Sequence, residues 1–134
     1  MCSRGDIIVV ASYKSEGKEI KRHSFVVIDD DGGQIQGLDF DFISLVMSSV
    51  GNDEKRERKL RYPGNFPIAP EDQKIEKGGN NKYGYIKAEQ FYYFNKEKTN
   101  YKRIGQLTPE IYELLIEFIE TEMDTPIIHI KDNL

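Results

Sequence analysis

The chain has 134 residues, a formal net charge of −4 at pH 7, and 31 % charged against 38 % hydrophobic residues, which fits one domain of ordinary size. No run approaches the ~20 apolar residues of a membrane helix, and the N-terminus lacks a basic-then-apolar signal pattern, so a cytoplasmic protein without membrane contact is expected. The negative balance argues against a surface that draws nucleic acid from every side and leaves room for a local basic site.

Gly5-Asp6 reads as a turn, and Ile7-Ile8-Val9-Val10-Ala11 as a strand buried on both faces or at a barrel seam. Residues 12–21, with Gly17, read as a polar loop. Ser24-Phe25-Val26-Val27-Ile28 is the second strand, stopped by Asp29-Asp30-Asp31-Gly32-Gly33. That stop resembles part of a calcium loop but lacks the bidentate Glu that would close one, so a hairpin turn is expected. Residues 34–38 alternate as a half-buried strand does. Residues 40–50 suit a strand or a short helix, and their Val and Ile favour a strand over 43–49. Residues 51–61 are a charged loop or exposed hairpin in which Lys55, Arg56, Arg58, Lys59 and Arg61 cluster.

Residues 62–67 give a turn and then an extended segment, because proline biases its predecessor away from helix. Residues 70–83 are polar and glycine-rich, and are expected to be a mobile loop. Residues 84–94 form one strand, or two joined at a bend, with the aromatic run Phe91-Tyr92-Tyr93-Phe94 in the core. Residues 101–104 add a short strand. The period then changes. Thr108 is an N-cap, Pro109 a good first helical residue, and Ile111, Leu114, Leu115, Phe118 and Ile119 one apolar stripe. A helix is predicted over 109–122, stopped before Pro126. Residues 127–130 pair as a last strand or dock elsewhere. The chain is thus expected to be one domain over 1–134, with 124–134 as a tail. Its class is mainly β (α+β), a small barrel closed or plugged by a helix.

Little else carries chemistry. Cys2 is the single cysteine. It cannot form an internal disulfide, and at a fraying terminus it is expected to be inert. There is no phosphate-binding Gly-rich loop and no Cys or His pair at metal-ligand spacing, so no cofactor is expected.

Arg4-Gly5-Asp6-Ile7-Ile8, His23-Ser24-Phe25-Val26-Val27-Ile28 and Gly84-Tyr85-Ile86-Lys87-Ala88-Glu89-Gln90, in that order, together resemble three segments of the PemK/MazF family of endoribonuclease toxins. Arg4-Gly5-Asp6-Ile7-Ile8 looks like the family's opening R-G-D/E-I strand. His23-Ser24-Phe25-Val26-Val27-Ile28 stands where the family has an R-P-V-L-V-I strand after a polar loop. Gly84-Tyr85-Ile86-Lys87-Ala88-Glu89-Gln90 is similar to the stretch where the family carries an acidic residue followed by Gln. Lys102-Arg103-Ile104-Gly105 and the amphipathic helix occupy the closing positions.

The resemblance implies an SH3-like barrel, usually a homodimer, paired with a small antitoxin protein whose tail fills the RNA groove. It also implies sequence-selective, metal-independent cleavage of single-stranded RNA. There the ribose 2′-OH attacks the adjacent phosphate, which requires a base, an acid and cationic stabilisation of the crowded phosphate. Carried over, the family's Arg falls on His23, with Arg22 just before it, and its Pro on Ser24. Either His23 takes a new role as acid or base, or Arg22 supplies the guanidinium. The family's strand-end hydroxyl corresponds to Ser48 or Ser49. Lys87 and Glu89, two apart, are expected on one strand face as a cation and a carboxylate beside the same phosphate. Glu19 matches an acidic position in the loop. Lys55, Arg56, Arg58 and Lys59 would border the RNA groove and contact phosphates. Tyr62, Phe66 and Tyr92 are candidate base-stacking platforms, and His129 is expected to have no functional role. The competing reading is a binding module on the same fold, for nucleic acid or protein, without catalysis.

Overall fold

In the first two strands, β1 (Asp6–Ser15) and β2 (Lys18–Asp29), alternate residues enter two separate apolar clusters. Ile7 and Val26 lie in one, and Ile8, Val10, Phe25 and Val27 in the other. A continuous apolar run is what a strand covered on both faces requires. The computed structural model describes residues 2–50, 58, 61–76 and 82–134.

The segment expected as a loop at 12–21 is instead mostly strand. β1 and β2 run to a two-residue turn, Glu16-Gly17, with φ of 52° and 84°. Positive φ at both central residues is the turn that matches strand twist, and Gly17 supplies it without strain. The same device divides the strand expected at 34–38. β3 (Gly33–Ile35) and β4 (Leu38–Phe40) form a hairpin of their own around Gln36-Gly37, with φ of 49° and 81°. The chain turns after Asp29, but not as the hairpin expected there, because β2 pairs with β1 and with the strand Phe42–Ser49, while β3 pairs with β4. The charge of Asp29–Asp31 is met by Arg4, whose guanidinium approaches all three carboxylates.

β5 (Phe42–Ser49) is the central strand. The main ladder runs β11-β9-β5-β2-β1-β10-β7, and β8 pairs both β5 and β6. β6 is Asn65–Ile68, β7 Gln73–Ile75, β8 Gly84–Lys87, β9 Gln90–Phe94, β10 Tyr101–Leu107 and β11 Ile128–Ile130. Every pairing is antiparallel except β11 on β9. β7 and a short 3-10 turn, Pro70–Asp72, occupy part of the segment expected as a mobile loop.

The helix α1 (Pro109–Glu117) starts as expected, with the Thr108 hydroxyl accepting from the Ile111 amide, and continues as a π turn over Phe118–Glu122. Leu115 is fully buried in the first cluster, and the Tyr112 hydroxyl donates to the Ile28 carbonyl at 3.0 Å. The second cluster is aromatic. Phe25 meets Tyr13, Tyr92 and Phe94 edge-on, with centroids 4.9–5.3 Å apart, pairs worth about 0.5–1.5 kcal/mol beyond burial. Cys2 is not frayed: it is 4 % exposed in that cluster, and burial pushes its thiol pKa up. Among the described residues, no helix is long and apolar enough to cross a membrane.

Candidate functional site

A cleft of about 720 Å³ opens on the face carrying the first cluster. Its apolar floor is Ile7, Val9, Met47, Ile68, Ile75 and Ile104. Its polar lining is Arg22, His23, Ser24, Ser48, Ser49, Gln73, Lys82 and Tyr85. No Asp or Glu is among the described lining residues. In a chain of net charge −4, this cleft combines two permanent cations with no acid, an anion-binding arrangement.

Strand parity assigns each side chain a face. β2 and β5 pair in regular register through Ser24↔Met47 and Val26↔Leu45. Ser24, Met47, Val26 and Leu45 therefore share the cleft's face, Ser49, two on from Met47, shares it too, and Arg22 also lines the cleft. His23 and Ser48 border the cleft, but their side chains alternate to the opposite face. The His23 ring lies edge-on to Tyr13, 5.9 Å between centroids, and its Nδ1 is 3.1 Å from the Lys21 carbonyl oxygen. Arg22 and His23 thus both line the cleft, and of the two it is His23 whose ring is engaged, against Tyr13.

The pair Lys87 and Glu89 is not arranged as expected. Lys87 ends β8, while Ala88-Glu89 is a turn before β9, because residues 84–94 switch partners along β5. Gly84–Ile86 pairs with Met47–Ser49, and Tyr92–Phe94 with Phe42–Ser44, which leaves Ala88-Glu89 outside the ladder. Alternation breaks there, so the two side chains do not share a strand face. Neither lines the cleft. The Glu89 carboxylate packs onto Gly64, and its Oε2 is buried with no hydrogen-bond partner among the described residues.

Glu19 lies on the opposite face, in a second cavity of about 280 Å³ with Tyr13, Lys98 and Asn133. Arg58 is exposed, and its carbonyl accepts from the Arg61 amide at 3.3 Å. Lys55, Arg56 and Lys59 fall outside the described residues. Of the stacking candidates, Tyr92 is buried at 3 % exposure and Phe66 packs against Phe118, which leaves Tyr62, 61 % exposed, accessible. The His129 Nδ1 is 2.7 Å from the Tyr93 hydroxyl, away from the cleft.

The segments that carry the resemblance hold the frame together. Asp6 accepts from the Ser3 amide at 2.8 Å and pairs with Arg103 at 3.1 Å; Arg103 also reaches Glu76 at 2.7 Å. The family model described as PemK-like, MazF-like toxin of type II toxin-antitoxin system matches residues 3–120. The chain belongs to that family. It is a toxin of the type II class, whose members are generally endoribonucleases and act opposite an antitoxin. No curated protein matched the chain. Within this PemK-like toxin, Gln73, Lys82 and Tyr85 are cleft residues that sequence reasoning missed. Gln73 and Lys82 sit in the stretch read as a mobile loop, where only the alternation of Gln73, Lys74 and Ile75 hinted at a strand.

Proposed function

We propose that this toxin cleaves single-stranded RNA in the 720 Å³ cleft, with Arg22 as the cation facing the scissile phosphate. The observation that carries the reading is that, among the described residues, the lining holds Arg22 and Lys82 and no carboxylate over an apolar floor. A phosphate brought there meets the Arg22 guanidinium, which presents forked donors to its oxygens. As the 2′-oxygen bonds to phosphorus its proton passes to solvent, the bond to the 5′-oxygen breaks and that oxygen takes a proton from solvent, leaving a cyclic phosphate and a 5′-OH. The charge that grows on the non-bridging oxygens meanwhile is stabilised by a positioned guanidinium more than in the ground state. Ser49, on the same face, supplies a hydroxyl donor. With no carboxylate in the described lining to ligate a hard divalent cation, the charge is met by protein cations, so cleavage proceeds in EDTA. The family also supports an antitoxin bound over the groove, a homodimer and a cytoplasmic setting.

The test is incubation of the purified protein with long RNAs of varied sequence in EDTA. Arg22→Ala lowers the rate by about 10²–10³, the range for removing one transition-state donor, and His23→Ala by less than tenfold. Absence of cleavage across sequences, together with absence of growth arrest on expression, overturns the reading. A second reading, binding without cleavage, is favoured by one observation. His23, the side-chain type suited to proton transfer near neutrality, turns to the opposite face, and Glu89 is outside the cleft. Tight RNA binding with no products, unchanged by His23→Ala, supports this second reading.

A further inference from the structure

The cleft holds a second cation, Lys82, that neither the sequence motifs nor the family match assigns. Lys82 leads into β8, and β8 lies against β5 at unusually close range. Gly84 faces Ser49 in the ladder, and a Cβ at Gly84 would overlap the Ser48 carbonyl oxygen. Only glycine permits that approach, and it draws the segment before β8 alongside Ser49; the Val50 amide donates to the Tyr83 carbonyl at 3.1 Å.

A second contact fixes Lys82 from the far side of the molecule. β7 is at one end of the main ladder, while β8 branches from β5. The Gln73 side-chain amide, on β7, donates to the Lys82 carbonyl at 3.0 Å. Gln73 is 8 % exposed, so its amide is held by burial. This bond ties the two arms of the fold together beside the cleft and fixes the backbone from which the lysine side chain extends. Arg22 precedes the part of β2 that pairs with one side of β5, and Lys82 precedes β8, which pairs with its other side, so their backbones are at least two strand spacings apart. Two strand spacings are roughly 10 Å, a separation that suits two phosphates of one strand rather than one.

We infer that Lys82 is the second phosphate-binding cation of the cleft and takes an RNA phosphate next to the one at Arg22. Gln73 is its positioning residue. The inference rests on the RNA-cleaving reading and adds a contact that sets affinity and register, not chemistry. A lysine is a point charge without a forked geometry, so its contribution is sequence-independent.

The experiment is anisotropy titration of an uncleavable single-stranded 2′-fluoro RNA of mixed sequence across a range of KCl concentrations. Lys82→Gln weakens binding several-fold at low salt. It also reduces the slope of log K against log[salt] by about 0.7, the value for one single-strand phosphate contact. Lys82→Arg restores the slope. Gln73→Leu keeps the buried volume and the lysine charge but weakens binding in the same direction. Lys98→Gln, at a lysine of the second cavity, leaves the slope unchanged. Wild-type affinity and slope in Lys82→Gln, or an equal loss in Lys98→Gln, overturn the assignment of Lys82. Wild-type binding in Gln73→Leu overturns the positioning role. If the unaltered protein binds no RNA, the RNA reading itself fails, and the assignment with it.

Discussion

Arg22 and His23 are adjacent in the chain and both line the cleft, but the His23 ring is engaged edge-on against Tyr13. Alignment with the family's Arg position favours His23, whereas the contact with Tyr13 turns that ring toward the aromatic cluster and leaves Arg22 as the proposed cation. A side chain's chemistry matters only on the face where the substrate lies. Gly84 is the other decisive single residue. Because the atom its Cβ would strike is a backbone oxygen, the clash cannot be relieved by a rotamer change, and β5 or β8 has to move. Gly84→Ala is expected to destabilise the fold by about 1–3 kcal/mol, the usual cost of overpacking, and to shift the strand that positions Lys82. Urea denaturation reads the first effect through a lower midpoint at unchanged m; the RNA titration reads the second.

At the scale of elements, α1 shows how much of a helix its own sequence specifies. The cap, the proline at the first position and the apolar stripe were all legible, and Thr108 and Leu115 hold the roles they imply. Leu115→Ala is expected to cost about 2–5 kcal/mol, because it leaves a cavity in the cluster shared with Ile28, Ile43 and Ile104. Thermal unfolding followed by circular dichroism measures it. The C-terminal segment was less legible, and its partners lie far back in the chain. β11 runs parallel to β9, with Ile130 buried at 2 % exposure. Beyond it the Asn133 side chain accepts from the Lys14 amide at 2.7 Å and donates to the Lys14 carbonyl at 2.9 Å, and Asp132 accepts from the Gly17 amide at 2.8 Å. The tail thus straps the tip of the β1–β2 hairpin, the arm that carries Arg22. Asn133→Ala is expected to speed hydrogen exchange at the Lys14 and Gly17 amides and leave those of Val26 and Leu45 protected. Mass spectrometry or NMR resolves the two groups.

For the molecule as a whole, the aromatic cluster sets the response to alkali. Burial, reinforced by nearby Tyr92, pushes the Tyr13 phenol up to about 12, and burial raises Tyr92 and Tyr93 as well. A folded-state pKa above the ordinary value of about 10 means that, above pH 10, the unfolded chain gives up a proton that the folded one retains. The unfolded state then binds fewer protons, so stability falls as pH rises. The contribution is full below pH ~10 and is lost progressively toward about 12. The melting temperature is expected to hold from pH 7 to ~8.5, where the buried Cys2 thiol begins to act in the same sense, and then decline, more steeply above pH ~10, with a shallower decline in Tyr13→Phe. Tyrosinate absorbance in the folded protein should appear later than in urea. Charge is distributed as unevenly as hydrophobicity. Among the described residues, acids gather away from the cleft, as in the Asp29–Asp31 turn closed by Arg4, and the cleft lining carries Arg22 and Lys82.

By itself the sequence determined the mainly β class, the capped C-terminal helix, the core aromatics and the family. Each of these is written in local periodicity, turn residues or motif order, which act over a few positions. It did not determine that Glu16-Gly17 and Gln36-Gly37 are hairpin turns, since φ is not visible in a dipeptide that also suits loops. Nor did it determine the break at Ala88-Glu89, which arises because a strand exchanges partners along β5. Tertiary structure alone decided the cleft. Arg22, Ser49, Gln73 and Lys82 come from four separate stretches, and their meeting depends on register, parity and one close approach at Gly84. Those are properties of paired strands, and no single strand carries them.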